Sequence, residues 1–198
     1  MTSKKINIDK LSLTMLEKLN HSNDLDMILM DSLKDLKIDI KSFKKIKETH
    51  FRNGLDSLMS QINIVINKML KKDTPKDIDK FRISEKIIFY VFKRLKITNK
   101  ICNRKKLFFL MMKPKNFSIS NKILFNIADE IWFLSGDKST DMNYYSKRII
   151  LMNIYASVFS FFVFDKSKDF SRTLNLLQKE IKLVLSFGKI KKKMSSFL

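Results

Sequence analysis

The stretch that decides the fold is "ADEIWFLSGDKSTDMNYYSKRIILMNIYASVFSFFVF", Ala128 to Phe164. Apolar residues before it recur at helical spacing through Leu124, Ile127, Ile131 and Leu134, and Gly136 then offers the left-handed position at which helices end. Past the polar "SGDKSTD", Asp141 is placed to cap a second helix, for which capping is a commoner role than acid/base chemistry. That second helix is polar and aromatic for two turns and apolar on most sides from Ile149 onward. Its charge-free run, 149–164, falls short of the ~20 apolar residues that span a bilayer, so the expectation is the buried central helix of a bundle.

Helical spacing extends outward from this pair. Leu25, Ile28, Leu29, Leu33 and Leu36 form one stripe, and Leu55, Leu58, Met59, Ile62, Ile66 and Met69 form another that stops at "KKDTPKD". A third runs from Ser84 through Ile87, Ile88, Val91, Phe92 and Leu95. A short apolar helix follows and is stopped by Pro114, after which Ser118 or Ser120 offers a cap. The last helix is expected from about Ser167 to Phe187, with Gly188 as its stop. Three glycines and two prolines leave little material for the turns of a sheet-rich fold, so the chain reads as all-α, with about eight or nine helices. At 198 residues it is long enough for one domain with a sizeable core.

Composition excludes several chemistries. A single cysteine, Cys102, rules out a disulfide framework and reads as a small buried apolar residue. The glycines are isolated and form neither a phosphate-binding loop nor a dinucleotide fingerprint. His21 and His50 lie far apart, and no glutamate is followed three residues later by histidine, so neither a helical di-iron site nor a zinc protease motif is supported. No catalytic residue, metal or cofactor is expected. The opening "MTSKKINIDKL" lacks the apolar run of a signal peptide and the arginines of a transit sequence, which gives an intracellular expectation.

The net charge of +20 comes mostly from lysine, 34 residues against six arginines. Between Lys86 and Ala128 there are eleven basic residues and no acid, and five more basic residues follow Glu180. Such a field attracts anionic partners, a lipid surface or a nucleic acid backbone, whereas the scarcity of arginine disfavours reading bases.

The stretch from Ala128 onward resembles the C-terminal signature of the ubiquinone (coenzyme Q) biosynthesis accessory protein family, "Coq nine". The residues that carry the resemblance are Ala128, Asp129, Ile131, Trp132, Gly136 and Asp137, then Ser139, Thr140, Asp141, Asn143, Tyr145, Lys147 and Arg148. Tyr155, Asp165, Ser167, Asp169, Phe170, Thr173 and Leu177 continue it. "HFRNG" (50–54) and "FRISEKI" (81–87) sit where the family has comparable elements.

The resemblance implies a tetracycline-repressor-like helical bundle. A helix-turn-helix-like unit (1–54) would precede a helical lipid-binding and partner-docking domain (55–187), with a basic tail (188–198). It also implies a homodimer. The expected setting is bacterial, cytoplasmic and peripherally associated with the inner membrane. Such a protein would be no enzyme. It would present a polyprenyl quinone or other isoprenoid lipid to the di-iron hydroxylase of ubiquinone synthesis.

On that reading Asp141, Met142, Asn143, Tyr144, Tyr145 and Arg148 dock the partner. The lipid pocket draws on Leu124, Ile127, Ile131, Met152, Tyr155 and Phe159. Lys189, Lys191, Lys192 and Lys193 with Phe197 touch an anionic membrane surface. Trp132 follows the apolar stripe of its helix and is expected in the core. The competing reading is a DNA-binding regulator, with Lys41, Lys44, Lys45 and Lys47 on a recognition helix. That segment carries neither a turn glycine nor an arginine, so its binding would be driven by phosphates and sensitive to salt, and nucleic acid is the less favoured partner.

Overall fold

The computed structural model describes residues 6–19, 22, 24–140 and 142–195, with side chains as far as 186. Among the described residues there are nine α-helices, four short 3-10 turns and no strand, as the glycine and proline counts require. The helices are α1 (Ile8–Lys18), α2 (Leu25–Asp35), α3 (Phe43–His50), α4 (Leu55–Lys72), α5 (Ile83–Ile101), α6 (Arg104–Met111), α7 (Phe117–Leu134), α8 (Met142–Phe164) and α9 (Ser171–Ser195).

The chain divides into two compact units. The first comprises residues 1–72 and 97–123, the second 73–96 and 124–198, so α5 and α7 each contribute one part to either unit. In the first unit α1 packs against α2 and α4, and α2 against α3. Leu11, Met15, Leu29, Leu33, Leu58 and Leu70 are almost wholly buried there. Local signals start the helices: the Asn7 side chain accepts from the amide of Lys10, Asp24 from those of Asp26 and Met27, and Asn103 from those of Lys105 and Lys106.

Two expected starts and stops fall elsewhere. Ser118 and Ser120 lie inside α7, because the 3-10 turn Pro114–Asn116 already launches the helix. Ser120 Oγ instead donates to the carbonyls of Met111 and Asn116. At the other end α9 continues past Gly188 to Ser195. A glycine costs a helix about 1 kcal/mol against alanine, which does not by itself end one.

In the second unit the core gathers around Val91, Leu95, Ile131, Leu151, Val158, Phe162 and Leu177. The helix α8 departs from expectation. It is long and apolar enough to cross a membrane by length and composition, yet only one stripe of it is buried, through Arg148, Leu151, Ile154, Tyr155, Val158 and Phe162. Ile149, Ile150, Phe161 and Phe164 stay exposed. Its neighbours cover one side, so it is not enclosed on all sides as its composition suggests.

The turn from α8 to α9 is organised by Asp165, which is 5% exposed. One carboxylate oxygen accepts from the amide of Ser167 at 2.8 Å. The other accepts from the amide of Thr173 at 3.0 Å and from its hydroxyl at 2.6 Å, so Asp165 caps the first turn of α9 from eight residues away. The turn needs Asp169 and Phe170 at φ 53° and 59°, a region costly for such residues, and these hydrogen bonds hold them in it.

Burial alone would raise the Asp165 pKa. The hydroxyl and amide of Thr173 and the amide of Ser167 outweigh it and hold the carboxyl at about 2. A group depressed in the folded state stabilises above its unfolded value and loses that contribution as pH falls through its folded one. Urea midpoints of the wild type should therefore fall as pH drops from about 4 towards 2. Asp165→Asn should lose about 2 kcal/mol near neutral pH and flatten that part of the profile.

Candidate functional site

The helix α7 ends as its sequence indicates. Gly136 takes φ 88°, its amide reaches the carbonyl of Phe133 at 3.0 Å, and the Asp137 amide reaches that of Trp132 at 3.0 Å. This closure places the Asp137 carboxylate, 5% exposed, beside the negative end of a helix, where it needs cations to be tolerated. The first turns of α8 supply two. Lys147 Nζ stands 2.6 Å from one oxygen and an Arg148 terminal nitrogen 2.9 Å from the other, which also accepts from Ser139 Oγ at 2.7 Å.

Arg148 is buried, with its Nε donating to Asp129 Oδ1 on α7 at 2.7 Å. Tyr144 lies under the guanidinium at 3.4 Å and donates its hydroxyl to the same Asp129 oxygen at 2.9 Å. The Trp132 indole donates to the carbonyl of Lys147 at 2.9 Å, and Lys147 Nζ sits 5.4 Å from its ring. Burial pushes the Asp137 carboxyl up, but hydrogen bonds from Lys147, Ser139 and Arg148 prevail and hold it well below the usual carboxylate range. Such a carboxylate stays ionised and is unsuited to general acid/base work at neutral pH.

The residues expected to dock a partner therefore separate. Arg148 faces inward and staples α8 to α7, and Tyr144 is half-buried beneath it. Met142, Asn143 and Tyr145 are exposed, with Met142 at 79% and Tyr145 at 57%; Met142, Tyr145 and Ile149 run along one face at i, i+3 and i+7, and Asn143 lies beside it. Asp141 lies outside the described residues. Trp132 is half-buried rather than enclosed, because its indole N–H serves the α8 backbone.

An apolar cleft of about 570 Å³ opens elsewhere in the second unit. The first half of α5 lines it with Ile88, Phe89 and Phe92, α9 adds Leu174, and Phe81 closes one end. Glu85, Lys93, Lys96 and Gln178 bring polar groups, and Lys96 Nζ stands 4.7 Å from the Phe92 ring. None of the six residues expected to line a lipid pocket is among them. Ile127, Ile131 and Tyr155 are buried in the core, while Leu124, Met152 and Phe159 are half-buried.

A buried polar cluster also escaped the sequence reading. Arg94 on α5 is 1% exposed and is acted on by the Tyr155 hydroxyl and the Glu130 carboxylate; burial lowers its pKa and the two oppose that. An arginine between Lys93 and Leu95 carries no local sign of burial, although its place four residues before Thr98, itself buried, puts it on the inner face.

Among the described residues no group of three His, Cys, Asp or Glu side chains is placed to hold a metal ion. Burial pushes the Cys102 thiol up to about 12, and it donates to the carbonyl of Thr98 at 3.3 Å, so it is no nucleophile. On α3, Lys47 is ion-paired with Asp26 of α2 in an exposed salt bridge with which a phosphate contact would compete. Of the residues expected to touch a membrane, Lys189, Lys191, Lys192 and Lys193 lie where side chains are not described, and Phe197 lies outside the described residues altogether.

The helices bearing the Arg148 staple and the Asp165 corner are also the part of the chain that known proteins share. Residues 117–188 match the COQ9 family. A ubiquinone biosynthesis protein COQ9-B from Xenopus laevis is 32% identical over 87 residues, 44% of this chain and 30% of the relative. The Bos taurus ubiquinone biosynthesis protein COQ9 is 33% identical over 89 residues, 45% and 28% of the two chains. A probable ubiquinone biosynthesis protein from Dictyostelium discoideum is 41% identical over 64 residues, 32% and 21%. The match spans less than a third of the length of these relatives. All three are named as mitochondrial proteins of eukaryotes, which gives no support to the expected bacterial setting.

Within the COQ9-matching segment, removing one member of a buried charge pair leaves the other without compensation. Arg148→Ala should cost about 3 kcal/mol in urea unfolding, because Asp129 and Asp137 lose their shared buried cation and Asp137 keeps only Lys147 and the Ser139 hydroxyl. Arg148→Lys should recover little of this, since an ammonium cannot bridge both carboxylates as the planar fork does. A double-mutant cycle with Asp137→Asn should show strong coupling between the two positions.

Proposed function

We propose that this protein serves ubiquinone biosynthesis as a non-catalytic accessory that holds a polyprenyl quinone intermediate and presents it to a di-iron hydroxylase at a membrane surface. The observation that carries the reading is the match of 117–188 to COQ9, whose relatives are named for that pathway. The shared segment includes both halves of the α7–α8 staple and the whole α8–α9 corner. These features fix the scaffold on which a ligand cleft and a docking face would rest.

Two features support the finer parts. The cleft at Phe81, Phe89, Phe92 and Leu174 offers an aromatic and aliphatic wall suited to an isoprenoid chain, with Gln178 and Lys93, the latter ion-paired with Asp73 at 3.0 Å, to meet an oxygenated head group. The exposed stripe Met142, Tyr145 and Ile149 offers contact area at low entropic cost for a protein partner. The tightly ion-paired carboxylates and the high thiol pKa accord with a binding role.

The test is native mass spectrometry with lipid extraction on protein made in a ubiquinone-producing host. A co-purifying polyprenyl quinone or precursor is expected, and Phe89→Asp should reduce its occupancy at least about tenfold, since a charge in an apolar wall costs several kcal/mol. Tyr145→Ala should weaken capture of the hydroxylase while leaving the lipid in place. A protein that carries no isoprenoid, and whose loss leaves ubiquinone intermediates unchanged in its own cells, would overturn the reading.

A further inference from the structure

The acid-free stretch between Glu85 and Asp129 is placed in an unusual way at the junction of α6 and α7. Within α6, Leu107 and Leu110 turn towards α1, where they share a small cleft with Leu16 and Leu19. The opposite face carries Phe109 and, at the helix end, Met112, both 57% exposed. Lys105 lies on this arc, four residues before Phe109; Lys113 flanks it, as does Lys106, an exposed residue that also lines the edge of the α1 cleft.

The chain then turns through Pro114–Asn116 into α7, whose first residue, Phe117, is 58% exposed. The corner is stiff. Asn116 Nδ2 donates to the carbonyl of Leu110 at 2.8 Å, and Ser120 Oγ donates to that of Met111 at 2.7 Å, which binds the end of α6 to the start of α7. Three large apolar side chains are thus more than half exposed within nine residues, each next to exposed lysines.

We propose that this α6–α7 corner is a contact surface for an anionic lipid bilayer, with Phe109, Met112 and Phe117 entering the interface and Lys105, Lys106, Lys113 and Lys115 meeting the head groups. Apolar groups that enter the acyl boundary and lysines that remain at the phosphate level are the two requirements of interfacial binding, and they occur together here. Charge decides against a second copy of the chain, because the corner would face its own like-signed field. It also favours lipid over nucleic acid. A phosphate backbone uses the lysines but gains nothing from an exposed methionine, and the Arg104 guanidinium is engaged with the Asn99 side chain at 3.1 Å. The surface needs neither the quinone reading nor the basic tail.

The test is cosedimentation of the full chain with phosphatidylcholine vesicles with and without phosphatidylglycerol. The wild type should bind the anionic vesicles, bind neutral ones weakly and be released by salt. A variant with Lys105→Glu, Lys106→Glu, Lys113→Glu and Lys115→Glu should bind at least about tenfold less, as should one with Phe109→Ser, Met112→Ser and Phe117→Ser. A tail variant with Lys189→Gln, Lys191→Gln, Lys192→Gln and Lys193→Gln should keep most of the binding.

Unchanged circular dichroism melts keep misfolding apart from loss of contact. As a second measurement, the fluorescence of Phe109→Trp should shift to the blue only with anionic vesicles. Corner variants that bind as the wild type does, binding lost with the tail variant alone, or a wild type that ignores vesicles while binding RNA would each overturn the proposal. A protein that retains its co-purified quinone yet leaves vesicles alone fails this inference and not the preceding one.

Discussion

The arrangement of the second unit depends on one buried guanidinium. Arg148 reaches Asp129 on α7 and Asp137 just past the end of that helix, so a single planar group sets both the spacing and the rotation of α8. A carboxylate at a helix C-terminus opposes the local dipole, and a buried arginine alone would be prohibitive. Each makes the other tolerable. Tyr144 beneath the guanidinium and the Trp132 hydrogen bond to the α8 backbone exclude water from the pair and strengthen it.

The corner after α8 uses the same logic with a different group. Asp165 satisfies the first turn of α9 from outside the helix, and its carboxylate is stabilised by hydrogen bonds rather than by an opposite charge. Between them the staple and the corner hold the two ends of α8, a helix apolar enough to pack in many ways. Polar interactions with demanding geometry select one packing where apolar contacts alone would leave several close in energy. The helices so held carry the exposed Met142, Tyr145 and Ile149 stripe and one wall of the cleft.

Much was legible in the sequence, for physical reasons that are local. The scarcity of glycine and proline excluded a sheet, helical spacing located the apolar faces of α2, α4, α5 and α7, and Gly136 marked the end of α7 because only a residue free of Cβ strain takes φ 88° readily. The cluster from Ala128 to Arg148 stood out by composition, and its resemblance to a known family rested on residues that the fold uses to fasten helices together. The Asp165 and Thr173 pair belongs to the same set: they are eight residues apart and touch at 2.6 Å.

The sequence by itself determined that this chain is helical, strongly basic and without disulfides, because these follow from composition and from short-range periodicity. Only the tertiary structure decided that Arg148 belongs to the interior, that α8 buries one stripe instead of its whole girth, and that a cleft opens beside Phe89 and Phe92. The reason is the same in each case. Burial and empty space are relations between elements distant along the chain, and periodicity reports only which face of one element is apolar, not what covers it.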